Sequence, residues 1–170
     1  MAIEDRIRLF ERVRAIPYAT DGAHDAASLL TEGRGDCVAK ADYLVTHLPN
    51  IGVPARRVRW LYHLPPEPAE VNLLISREDV HTAVEAQVDG RWVLVDATHD
   101  PALGAIGLTV AEWDGHTATT PAYEPVGPLW RPGDPIPEPV PNRNSTRPFD
   151  PAAGRVYRAA FNRWLRDARG

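Results

Sequence analysis

Three residues of this 170-residue chain, Cys37, His81 and Asp96, could act together as a nucleophile, its base and an orienting group. Cys37 is the only cysteine, so no internal disulfide can form, and the thiol is either inert core filler or reactive. The chemistry open to such a set is acyl transfer. His81 would take the thiol proton, Asp96 would fix the imidazole tautomer and stabilise its charged form, and the sulfur would attack a carbonyl carbon. Each residue alone has a plainer explanation: a small buried hydrophobe, a satisfied strand histidine, a strand-end cap. Their order in the chain and their placement favour the site jointly.

The stretch from Glu32 to Arg59 places the thiol. Gly33-Arg34-Gly35-Asp36-Cys37 makes a tight approach to a helix over Val38 to Leu48, with Val38, Ala41, Leu44, Val45 and Leu48 on one stripe. Asp36 is the natural N-cap, which puts Cys37 in the first turn. Unpaired N–H groups and the positive end of the helix dipole there favour a thiolate and can receive an oxyanion. The charge of Asp36 opposes the thiolate, but its capping bond and the His81 imidazolium should outweigh that. Pro49, Asn50 and Gly52 end the helix, and Val53 to Tyr62 reads as a strand.

A hairpin places the other two groups. His81 to Val88 and Arg91 to Thr98 flank Asp89-Gly90, a strong two-residue turn signal. With Val88 opposite Arg91, counting outward sets Ala83 opposite Asp96. His81, Ala83, Glu85 and Gln87 then share a sheet face with Trp92, Leu94, Asp96 and Thr98. His81 and Asp96 become diagonal neighbours, about 7–8 Å apart in the backbone, a gap their side chains can close.

The remaining elements frame this core. Ile3, Ile7, Phe10 and Val13 mark an amphipathic helix over Ile3 to Ala15. Ala19 to His24, with Asp21-Gly22, reads as turns before a short helix over Asp25 to Leu30. Pro65, Pro66 and Pro68 make a rigid loop, and Val71 to Ile75 is too short to assign as strand or helical turn. Ten of the 17 prolines fall between Pro121 and Pro151, interspersed with Tyr123, Trp130 and Phe149, which suggests an extended segment wrapping the domain. A final helix over residues 152–168 carries Val156, Ala160 and Trp164, with Tyr157, Phe161 and Leu165 offset.

Composition narrows the function. At 44% hydrophobic and 25% charged, 170 residues fit one domain with a real core, residues 1–170. Apolar runs are far shorter than the roughly 20 residues that cross a bilayer, and Met1 to Arg6 lacks a signal peptide's features, so a cytoplasmic protein with no membrane partner is expected. The net charge of -4 argues against a nucleic-acid partner, and the arginines of the last helix read as a solvated face. His81, His99, Asp100 and Cys37 lack paired metal-ligand spacing, so no metal is expected. Lys40 and Gln87 are the sole lysine and glutamine.

Gly33-Arg34-Gly35-Asp36-Cys37, Ala41 and Ile51-Gly52-Val53-Pro54-Ala55-Arg56-Arg57-Val58 resemble the core of the transglutaminase-like superfamily of papain-type fold. So do His81-Thr82-Ala83-Val84-Glu85 and Gly90 to Thr98. The resemblance covers Leu29 to Thr98, with the triad positions at Cys37, His81 and Asp96. It implies an α+β, papain-like fold in which the nucleophile helix packs on an antiparallel sheet carrying the histidine and aspartate. It also implies acyl transfer or hydrolysis at amides without a cofactor. Tyr18 is a candidate for the oxyanion partner that members of the superfamily use, although a core tyrosine needing one hydrogen bond is the simpler reading. The substrate expected is a peptide, protein or small amide, hydrolysis is favoured over crosslinking, and the rival is a silent scaffold that binds a protein partner.

Overall fold

The computed structural model describes residues 3–64, 78–135 and 151–170. The Pro65 to Pro68 loop, the Val71 to Ile75 segment and the proline-rich residues 136–150 lie outside that set. Helix α1 spans Ile3–Arg14, strand β1 Tyr18–Ala23, helix α2 Ala26–Glu32 and helix α3 Cys37–His47. Strands β2 (Ala55–His63), β3 (Glu78–Val88) and β4 (Arg91–Val95) follow, and helix α4 (Pro151–Asp167) closes the described chain. Mixed helix and antiparallel sheet is the expected fold class.

The sheet has the order β2-β3-β4, all antiparallel. Val88 pairs with Arg91, and Asp89 and Gly90 both take positive φ, the geometry a two-residue hairpin turn requires. The ladder runs back to Val84 opposite Val95, and the chain leaves it just before Asp96. Both faces are covered. Val84, Ala86, Val88 and Val95 pack with Phe10 of α1, Leu29 of α2 and Leu44 of α3. The alternate residues Val58, Trp60, Tyr62 and Ala83 pack with Ala122 and Tyr123 instead. Residues 119–130 cross that second face. Thr119 N–H donates to Leu94 O at 2.9 Å beside β4, and Trp130 exchanges two backbone bonds with Arg59 of β2, at 2.9 and 2.7 Å. Arg131 joins Arg56 in clamping the buried Glu85 carboxylate.

Three local expectations need correction. Ala19 to His24 is not a run of turns: Tyr18–Ala23 is extended, with Ala23 N–H donating to Arg34 O and Asp36 N–H to Ala23 O, both at 3.0 Å. Gly22 serves close approach rather than turning, because a Cβ there would lie 2.7 Å from Arg34 O. In α3, Lys40 and Tyr43 are buried while Val38 and Val45 are only half-buried, since α1, α2 and β3 all pack around this helix. In α4 the inward stripe is Tyr157, Phe161 and Leu165, and Val156 faces outward.

The approach to α3 is sterically determined. Gly33 takes φ 65° as the C-cap of α2, and its N–H donates to Leu29 O. Gly35 has ordinary φ but no room: a Cβ would sit 2.6 Å from Leu29 Cδ1 and 3.1 Å from Ala23 O. We expect Gly35→Ala to cost about 1–3 kcal/mol in urea unfolding through overpacking. Gly104→Ala, whose Cβ would meet only Val110 at 3.6 Å, should cost less. Equal costs would show that Leu29 simply moves aside.

Candidate active site

Asp36 caps α3 with its side chain, Oδ1 accepting from Ala39 N–H at 2.9 Å, so Cys37 becomes the first helical residue. The N–H groups of Cys37 and Val38 have no acceptor within a helix that starts there. Cys37 is half-buried and packs against a cluster of Tyr18, Leu103, Leu108, Tyr157, Phe161 and Leu165. The second carboxylate oxygen of Asp36 is held by His24 Nδ1 at 2.6 Å. Sequence reading missed this pairing, although it bears directly on the charge beside the thiol.

The hairpin brings His81 and Asp96 together. His81 Nε2 lies 2.9 Å from Asp96 Oδ2, and both side chains are fully buried. The ring sits among Trp60, Tyr62 and Tyr123, with centroids at 4.8, 6.0 and 5.1 Å, all edge-on. With Nε2 engaged, Nδ1 is the nitrogen left for the thiol; it is buried and short of a well-formed hydrogen bond, with Cys37 the side chain that reaches toward the ring. Cys37 stands close enough to influence the ring. Burial disfavours the imidazolium, but the Asp96 charge and hydrogen bond, aided by Cys37, outweigh it and raise the proton affinity of His81 above the ordinary histidine value.

Asp96 is correspondingly well held. Oδ2 also accepts from Ala122 N–H at 2.8 Å, Oδ1 accepts from Thr98 N–H at 3.1 Å, and the Asp96 N–H donates to Thr119 Oγ1 at 3.0 Å. Burial alone would raise its value; His81, Thr98 and Ala122 together hold it below the usual carboxylate range. Two of these bonds, those with Ala122 and Thr119, come from chain beyond the hairpin, so the diagonal geometry supplies only part of the anchoring.

Tyr18 is buried beside this group. Its N–H donates to Asp100 Oδ2 at 2.9 Å, and its ring meets His99 and Phe161 edge-on. Burial, with Tyr123, Tyr62 and Cys37 nearby, pushes its phenol well above the ordinary value, so it keeps its proton and can donate. Arg169 fastens the same region, pairing with both oxygens of Asp100 at 3.2 and 2.6 Å and donating to Tyr18 O at 2.8 Å. The other residues weighed as metal ligands are engaged: His99 meets Thr109 O at 2.8 Å and Tyr123 Oη at 3.0 Å, and Asp100 is held by Arg169. Among the described residues no group of three His, Cys, Asp or Glu side chains converges on a metal-sized site, and no helix is long and apolar enough to cross a membrane.

The signs of the two shifts define a pH window. A histidine of raised value stabilises the fold fully below its unfolded value of about 6.5 and loses that contribution as pH rises toward its folded value. A carboxylate of lowered value contributes above about 3.9 and loses that as pH falls through its folded value. Asp96→Asn should therefore cost most between about pH 4 and 6.5, on the order of 3–5 kcal/mol by urea unfolding, because it leaves a buried imidazolium unpaired. That difference should shrink in the alkaline range; a pH-independent difference would refute the ion pair.

Comparison with known proteins places the chain, rather than any one of its residues, in a family. The transglutaminase-like superfamily profile matches residues 1–97, more than half of the chain. No curated protein matches it. Among solved structures, a candidate cysteine protease from Cytophaga hutchinsonii superposes with a TM-score of 0.44 and 20% identity, over 61% of this chain and 34% of its own. The chain thus spans about a third of that protein's length. On the strength of the profile match, the chain belongs to the transglutaminase-like superfamily.

Proposed function

We propose that the protein is a cysteine-dependent acyl-transfer enzyme acting on an amide or peptide bond, with Cys37 as nucleophile, His81 as general base and acid, and Asp96 as orienting carboxylate. The observation that carries the reading is the buried His81–Asp96 bond, which occupies Nε2 and leaves the buried Nδ1 for the neighbouring thiol. The Cys37 proton passes to His81 Nδ1, and Sγ adds to the carbonyl carbon. The oxyanion is received by the N–H groups at the start of α3. The intermediate collapses to a thioester as His81 gives its proton to the leaving amine. Water then adds to the thioester, His81 takes its proton, and the carboxylic acid and free thiol are released.

Tyr18 is the candidate for a further oxyanion donor, since its phenol stays protonated beside the sulfur. Tyr18→Phe should lower kcat by about 10–1000-fold while leaving KM and the fold largely intact, the scale of a lost oxyanion donor. Unchanged kcat would leave Tyr18 as packing alone. Hydrolysis is the preferred reading of the second step, and self-crosslinking in particular has no lysine acceptor, because the sole lysine, Lys40, is 1% exposed. Purified protein should form no gel ladder.

The direct test is the pH dependence of Cys37 alkylation by iodoacetamide, read by intact mass. Wild type should alkylate rapidly at about pH 6, where an ordinary thiol of pKa ~8.5 is sluggish, and His81→Ala should lose that acid plateau. Slow labelling that ignores His81 would refute the enzyme and favour a scaffold that binds a protein partner.

A further inference from the structure

Lys40 is one turn along α3 from Cys37, and its side chain runs inward to full burial. Nζ donates to Thr98 O at 2.7 Å and to Arg14 O at 3.3 Å, at the last residue of α1. Thr98 is bound at both ends, because its N–H donates to Asp96 Oδ1. The ammonium is thus one residue's carbonyl away from the carboxylate that holds His81. A methionine would fill similar space without the desolvation cost of a buried charge, so the bonds and the charge are what lysine adds at this position.

We propose that Lys40 is a positioning residue for the same site, locking the Asp96 to Asp100 segment onto the nucleophile helix and so setting how firmly Asp96 holds His81. The inference rests on the catalytic reading above for its functional meaning, while its geometric content is independent of it. The charged groups facing Lys40 come from three elements: Asp96 and Asp100 after β4, Arg14 at the end of α1, and Arg169 following α4. Burial pushes the lysine down to about 7, with the two aspartates opposing burial and the two arginines reinforcing it. The ammonium acts at a distance on two carboxylates with different partners, Asp96 bonded to His81 and Asp100 to the Tyr18 backbone.

Two substitutions separate the bond from the charge. Lys40→Met removes both; Lys40→Gln keeps a donor for Thr98 O. With folding verified by circular dichroism, Lys40→Met should slow Cys37 alkylation at about pH 6 by about 10–100-fold, up to the loss that a misplacement of about 1 Å can produce, and Lys40→Gln should recover part of it. The proton between His81 Nε2 and Asp96, followed by NMR, should shift or broaden in Lys40→Met. Packing alone would leave both readouts at wild-type values, and that result would overturn the proposal. If wild type itself shows no acid plateau, the enzyme reading fails while the His81 proton still tests the placement. Should neither variant fold, the single lysine Nζ signal of isotope-labelled wild type decides: it must move when Cys37 is alkylated, and an unmoved signal refutes the coupling.

Discussion

Burying a histidine and an aspartate with no exposed surface is tolerable only if each charge is answered, and that requirement governs much of this structure. Asp96 has four polar contacts: His81, Ala122 N–H, Thr98 N–H and the Thr119 hydroxyl. Removing any one partner would leave part of a buried carboxylate or its backbone unsatisfied, a cost of about 1–3 kcal/mol. The hairpin delivers the pair, the segment from Thr119 to Tyr123 closes over it, and aromatic rings exclude water around the imidazole. Low polarity in that enclosure strengthens the bond that orients the base.

A second set of charges surrounds the first. Lys40 feels the charges of both Asp96 and Asp100 while bonding the Thr98 carbonyl, Asp100 is held by Arg169, and Arg169 returns to the carbonyl of Tyr18. Residues from α1, β1, α3, the chain after β4 and the chain after α4 therefore meet in one alternating network. Such a network couples its members more strongly than separate pairs would be coupled, because each group is desolvated and has few alternative partners. The last helix is fastened to β1 from two points, Arg169 and Asn162, the latter bonding Thr20 through both its amide groups.

What was legible in the sequence was local or periodic. Asp89-Gly90 specified the hairpin, the period of two put His81 and Asp96 on one face, and Asp36 marked the start of α3 with Cys37 in its first turn. What stayed hidden was tertiary. Lys40 is a charged residue outside the apolar stripe of α3, and only the packing of α1, α2, β2 and β3 around that helix buries it. Tyr18–Ala23 has turn-forming residues, yet its backbone bonds to the chain at Arg34 and Asp36 hold it extended. Arg169 and Asp100 are 69 positions apart, and no local pattern connects them. His24 and Asp36 also required three-dimensional proximity to be recognised as partners.

The strap from Thr119 to Trp130 has a bearing on self-association. A three-stranded sheet has two outer strands whose free N–H and C=O groups could recruit an extended chain. Here the strap meets β4 at Leu94 and β2 at Arg59 and Leu61, occupying backbone groups on both rims. Strand addition by a neighbouring molecule would have to displace those bonds first. The segment that roofs the histidine thus also occupies edge groups that strand addition would need, so loosening it would free backbone on both β4 and β2 as well as uncover the buried ion pair.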